Sequence, residues 1–126
     1  MVKILLVGTG GFIGSIFRYL VGSLVHRVLS EPWFPYGTLS VNVIGCFLIG
    51  FLGGLSEARQ IFNPETRLLT FIGFLGGFTT FSTFGSETFS FARDGQFLAS
   101  FSNIFFHLIL GIGAVLLGNI LSRLLS

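Results

Sequence analysis

From Pro32 to Ser56 the chain carries no Asp, Glu, Lys or Arg, and three further stretches are nearly as apolar. A membrane-spanning helix needs about 20 mostly apolar residues. The first candidate runs from Ile4 to Leu29 and contains Arg18; the second runs from Tyr36 to Leu55. The third runs from Leu68 to Phe91 with Glu87 as its charge, and the fourth from Gln96 to Leu125 with His107 inside it. Short connections join them: a Pro-broken loop from Ser30 to Tyr36 with interface aromatics, a polar stretch from Ser56 to Arg67, and a tight turn at Ala92-Arg93-Asp94-Gly95. Lys3 before an apolar run imitates a signal peptide, but no small-x-small cleavage site precedes a soluble domain, so the first stretch reads as a retained helix. The expected architecture is all-α: an integral membrane protein, multi-pass, with one four-helix domain over residues 1–126.

Composition narrows the function. Charged residues make up 10% of the chain, against about 25% in soluble domains. The net charge of +2 comes from scattered basic residues with no basic stripe, which argues against nucleic acid. One cysteine, Cys46, allows no intrachain disulfide. No nucleophile stands with a base and an orienting acid, and no Cys/His/Asp cluster has metal-site spacing. Gly8-Thr9-Gly10-Gly11 lacks the Lys-Ser/Thr of a phosphate loop. The chain therefore reads as a membrane protein that is not an enzyme. Lys3, Arg59, Arg67 and Arg123 fall on one side of the membrane and Arg27 and Arg93 on the other. That bias is shallow for a property that sets orientation. Both termini in the cytoplasm is one reading, and insertion both ways is the other.

The third stretch is a poor continuous helix. Gly76-Gly77 and Thr79-Thr80 lose helix propensity, by up to about 1 kcal/mol per Gly relative to Ala. A break there frees carbonyl oxygens, which are hard ligands for a small cation. A broken helix at membrane depth survives only where protein or a water-filled cavity covers its backbone. Phe71, Phe74, Phe78 and Phe81 follow helical spacing and read as core packing. Phe81 and Phe84 flank Ser82 and Thr83, and their positive ring edges suit an anion. Thr83 and Glu87 are four residues apart. Glu87 is either an interfacial carboxylate or a gate, proton carrier or water-organising acceptor.

Other polar groups align with this segment. Gly10, Gly14, Arg18 and Gly22 share one face of the first helix, so a close helix contact would carry Arg18 inward. Arg18 either snorkels or makes a structural hydrogen bond, or it attracts an anion. Thr38 and Asn42 share a face of the second helix. Asn42 is favoured as an interhelical hydrogen-bonding group, with a pore-lining amide as the functional alternative. Asn103, His107 and Gly111 share a face of the fourth helix, and His107 reads first as a structural group. Four helices enclose little space, so at least a dimer is expected.

Three segments together carry a resemblance: Gly10-Gly11-x-x-Gly14-x-x-x-Arg18, Gly37-Thr38-Leu39-Ser40-Val41-Asn42, and the run from Gly73 to Glu87, Gly73-Phe74-Leu75-Gly76-Gly77-Phe78-Thr79-Thr80-Phe81-Ser82-Thr83-Phe84-Gly85-Ser86-Glu87. In motif order and four-helix layout the whole chain resembles the Fluc, or CrcB, fluoride-channel family. That resemblance implies a dual-topology antiparallel homodimer in a prokaryotic plasma or inner membrane, with two fluoride pores that export fluoride passively. It also implies a central sodium ion at the helix break, held by the carbonyls of Gly76 and Thr79 of both subunits. Phe81 and Phe84 would form the aromatic box, Asn42 the pore amide, and Ser82 and Thr83 neighbouring hydroxyls. Arg18 would stabilise the vestibule, and Thr38, Glu87 and His107 would lie along the polar path. In one departure, Gly111 and Val115 stand where members of the family often carry hydroxyls after the His. A different class of function, a small proton-coupled exporter of cationic compounds with Glu87 as carrier, leaves Arg18 and the Gly-Gly pair without a role.

Overall fold

The computed structural model describes residues 1–30 and 33–126; Glu31 and Pro32, which the sequence places in the first loop, lie outside the described residues. The described chain is helical: α1 (Val2–Val28), α2 (Tyr36–Arg59), α3 (Pro64–Arg67), a π-helical stretch (Leu68–Leu75), α4 (Gly76–Phe78), α5 (Phe81–Arg93) and α6 (Phe97–Leu124). Four helical spans are long and apolar enough to cross a membrane, the third being Pro64–Arg93 in its entirety. Large apolar side chains such as Leu5, Phe12, Leu98 and Leu117 face outward, as lipid-facing groups do. The protein is a multi-pass membrane protein.

The ends of these helices follow local chemistry. The third span starts earlier than its apolar run because Asn63 caps it: its side chain accepts from Thr66 N at 2.8 Å, with Pro64 and Glu65 in the first turn. α5 ends in the predicted tight turn. Gln96 N donates to Phe91 O at 2.8 Å, and Gly95 takes φ +75°, a conformation that favours glycine. Phe34, read as an interface aromatic, is buried instead, its ring edge-on to Phe106 at 6.1 Å between centroids.

Between membrane helices there is no hydrophobic drive, because lipid is as apolar as a side chain. Backbones must therefore approach closely to gain packing energy, and glycine permits it. Two such seams hold this protein. In one, α1 lies on the first half of the third span. Gly10 and Gly14 face that backbone, and a Cβ on Gly77 would stand 2.6 Å from Gly11 O. In the other, α2 lies on α6. A Cβ on Gly118 would stand 2.7 Å from Phe51 N, and Gly50 faces the Val115 backbone equally closely.

The third span does break, at Thr79-Thr80 rather than at the glycine pair, the second of the two weak points in its sequence. Gly76–Phe78 stays helical, and Thr79 (φ −85°, ψ 159°) and Thr80 (φ −148°, ψ 106°) are extended. The pair at Gly76-Gly77 lowers helix propensity, yet Gly77 is consumed by packing on Gly11. β-Branched Thr79 and Thr80 tolerate extended backbone well, and a side chain from another helix claims the Thr80 peptide. The eight-residue π-helical stretch ahead of the break has no counterpart in the sequence reading, since an i→i+5 turn leaves no mark on apolar periodicity.

Candidate functional site

The break is held open by Asn42. Its Oδ1 accepts from Thr80 N at 2.8 Å, and its Nδ2 donates to Thr80 O at 3.0 Å. The amide thus pairs with one peptide as a neighbouring strand would. This removes Thr80 N from the helical ladder, and Gly76 O loses the donor it would have had four residues on. The preceding bond survives: Thr79 N donates to Leu75 O at 3.0 Å. On the far side, Thr80 restarts the helix. Its hydroxyl accepts from Thr83 N at 3.2 Å and donates to Thr83 Oγ1 at 2.8 Å, with Ser82 Oγ 3.4 Å away.

The first-helix arginine reaches this break. The glycine seam brings α1 so close that Arg18 Nη1 lies 3.3 Å from Thr79 O. The side chain therefore turns inward to protein and does not snorkel. Arg18, Gly22, His26, Thr38, Thr80, Thr83 and Glu87 line a cavity of about 310 Å³. Thr38 Oγ1 donates to Glu87 Oε1 at 2.6 Å across that cavity, and Glu87 Oε2 is buried without a partner among the described residues. Glu87 is half-buried and engaged with α2, unlike a free carboxylate at a helix end.

A second cavity, of about 390 Å³, lies on the other side of the break and opens to the surface of the chain. Asn42, Gly76, Thr79, Phe81, Phe84 and His107 are among its walls. The rings of Phe81 and Phe84 are 5.5 Å apart, and Phe84 lies 4.4 Å from the His107 ring. Phe81 is 83% exposed, so the expectation that it packs in the core does not hold in the single chain. Phe78, one turn earlier, is buried as expected. Asn42 lines this second cavity and holds Thr80, which lines the first; its amide nitrogen retains one hydrogen beyond the bond it makes.

The structure thus brings Arg18, Thr38, Thr83 and Glu87 together on one side of the break and Asn42, Phe81, Phe84 and His107 on the other. Ser82 stands beside Thr80 on the exposed first turn of α5. Gly111 and Val115, the departures noted in the fourth helix, face α2: Gly111 lies against Cys46 and Val115 against Gly50. Both therefore serve the α2–α6 contact.

Two residues that the sequence reading passed over belong to the same region. Thr88 Oγ1 donates to Phe84 O at 2.8 Å and accepts from Asn103 Nδ2 at 2.9 Å, and Ser100 Oγ donates to Thr88 O at 3.0 Å. The signal for Thr88 was present. Positions 81, 84 and 88 are i, i+3 and i+7, one helix face. Ser100 had no such signal, because only the packing of α6 on α5 brings it near.

A protein-family model described as "CrcB-like protein, Camphor Resistance (CrcB)" matches residues 5–119. The chain belongs to the CrcB family. Among its CrcB relatives, the fluoride-specific ion channel FluC of Dehalococcoides mccartyi is 42% identical over 126 residues, spanning 100% of this chain and 96% of that protein. The FluC proteins of Shewanella loihica and Chlorobaculum tepidum are each 44% identical, spanning 94% and 98% of this chain and 94% and 97% of their own. The CrcB relatives carry the name of ion channels, and the family is one of transporters rather than enzymes.

Proposed function

We propose that this protein is a fluoride-selective channel through which fluoride leaves the cytoplasm passively. The observation that carries the reading is full-length identity of 42–44% to proteins named fluoride-specific ion channels. The geometry at the break supports it. Fluoride is strongly hydrated, so a selective path must replace water with donors while binding weakly enough for exit. The vestibule beside Arg18 offers a fixed positive charge. The hydroxyls of Thr83 and Ser82, the remaining amide hydrogen of Asn42, and the ring edges of Phe81 and Phe84 offer successive weak donors. Thr38, Glu87 and His107 extend the polar path on either side.

The channel works as an antiparallel homodimer with two pores. The open 390 Å³ cavity and the exposed Phe81 support a second copy on that face. The shallow Lys/Arg bias supports insertion both ways, and a pair related by a two-fold axis in the membrane plane closes on itself. Sodium fits the donor set at the break. Gly76 O has lost its helical donor, Thr79 O keeps a second lone pair beside the Arg18 bond, and both are hard oxygen ligands. One chain supplies too few such oxygens to surround a cation, so the same pair from a second copy completes the set. A bound cation would neutralise converging carbonyl dipoles and lend positive potential to nearby anions.

Liposomes holding the purified protein are expected to release fluoride rapidly and chloride negligibly. Equal flux of the two ions, or none of fluoride, rejects the reading. Phe81→Ile removes the ring edge at little cost in volume and is expected to slow fluoride efflux by about tenfold or more, equivalent to about 1.4 kcal/mol of barrier. Replacing sodium with a bulky organic cation is expected to lower the thermal unfolding midpoint in detergent by several degrees, because a ligand that binds only the folded state stabilises it. An unchanged midpoint counts against the sodium site.

A further inference from the structure

The second half of the third span lacks the usual means of staying in place. α5 buries no side chain in the single chain, and it leans chiefly on α6. In lipid, apolar contact with α6 gives little preference over contact with acyl chains. The rotation of α5, and with it the aim of Phe84, must come from directional bonds. Thr88 concentrates them. Its hydroxyl accepts from Asn103 Nδ2 at 2.9 Å and passes its own hydrogen to Phe84 O at 2.8 Å, while its carbonyl accepts from Ser100 Oγ at 3.0 Å.

These bonds close a circuit. Asn103 is fully buried, with 0% exposure. Its backbone carbonyl takes a bond from His107 Nδ1 at 2.9 Å, and a carbonyl can only accept, so Nδ1 is the donor. The His107 ring so fixed lies 4.4 Å from the Phe84 ring. Phe84, Thr88, Asn103 and His107 therefore constrain one another in a loop, each link being a hydrogen bond or a ring contact. A one-turn rotation of α5 cannot occur without breaking the Thr88–Asn103 bond.

We propose that Thr88 is a positioning residue for the anion path: through Asn103 and His107 it sets the angle at which Phe84 presents its ring edge. The inference rests on the fluoride-channel reading and goes beyond it, because Thr88 itself touches neither cavity.

Thr88→Val keeps the shape of the side chain and removes the hydroxyl, and Thr88→Ser keeps the hydroxyl. Both are compared with wild type by fluoride efflux per folded dimer in liposomes, together with the fluoride-to-chloride permeability ratio. Thr88→Val is expected to lower both flux and ratio by about tenfold, the consequence of about 1.4 kcal/mol. Thr88→Ser is expected to retain at least about half of each, within the spread of conservative hydroxyl exchanges. Asn103→Leu combined with Thr88→Val is expected to be no worse than Thr88→Val, since residues in one network are not additive. Wild-type flux and selectivity in Thr88→Val overturn the proposal. So does an equal loss in Thr88→Ser, or a loss confined to the yield of folded protein. Absence of fluoride flux in wild type instead removes the channel reading, and the proposal with it.

Discussion

Asn42→Asp is expected to suppress fluoride flux by roughly a hundredfold, while the protein still purifies in folded form. In the native protein the amide both accepts from Thr80 N and donates to Thr80 O. A carboxylate keeps the first bond and loses the second, so an oxygen bearing negative charge is placed against the Thr80 carbonyl oxygen. Leaving a buried acceptor unpaired costs about 1–3 kcal/mol, and the repulsion between the new charge and an anion in the path adds to the barrier in a medium that screens poorly. The combined barrier of about 2.7 kcal/mol corresponds to the hundredfold loss. Liposome efflux measures it. A variant that conducts at the wild-type rate removes Asn42 from the path.

Gly14→Val is expected to produce the largest loss of stability. A Cβ at position 14 would stand 2.9 Å from Phe78 N, and closer still to Phe74 O. These are backbone atoms of the helix that precedes the break, so they cannot swing aside as a side chain can. Overpacking of this kind costs about 1–3 kcal/mol or more, and here it would separate α1 from the third span and withdraw Arg18 from Thr79. The thermal midpoint in detergent should fall by roughly 5–10 °C, following the usual relation between stability and midpoint for a chain of this size. Gly8→Ala is the matched control. Nothing lies within 4 Å of a Cβ there, and its midpoint should stay within about a degree, as for a surface change of about 0.5 kcal/mol or less. Equal midpoints for the two variants would show that the glycine seam does not hold α1 in place.

Most of the architecture was legible because spanning helices announce themselves by length and apolarity, which are local properties. The shared face of Gly10, Gly14 and Arg18 is likewise a matter of spacing along one helix, and the structure uses it as a seam that turns Arg18 inward. The location of the break was less legible. Propensity flagged Gly76-Gly77 and Thr79-Thr80 alike and did not choose between them, because propensity counts only what a residue does to its own helix. Gly77 is needed for contact with Gly11, and the peptide that leaves the helix is the one Asn42 can reach.

The amino-acid sequence by itself determined that this chain crosses a membrane in four spans, that the third cannot run unbroken, and which hydroxyls, rings and amides line up with it. Its long identity to named channels follows from the same residues. Tertiary structure alone decided which peptide Asn42 would hold, that Glu87 would meet Thr38, and that Thr88 would become the hub between α5 and α6. Each of those pairings joins residues far apart in the chain. Hydrogen bonds between helices depend on approach distance and rotation, and these are set by where glycines let backbones meet rather than by anything the neighbouring residues encode.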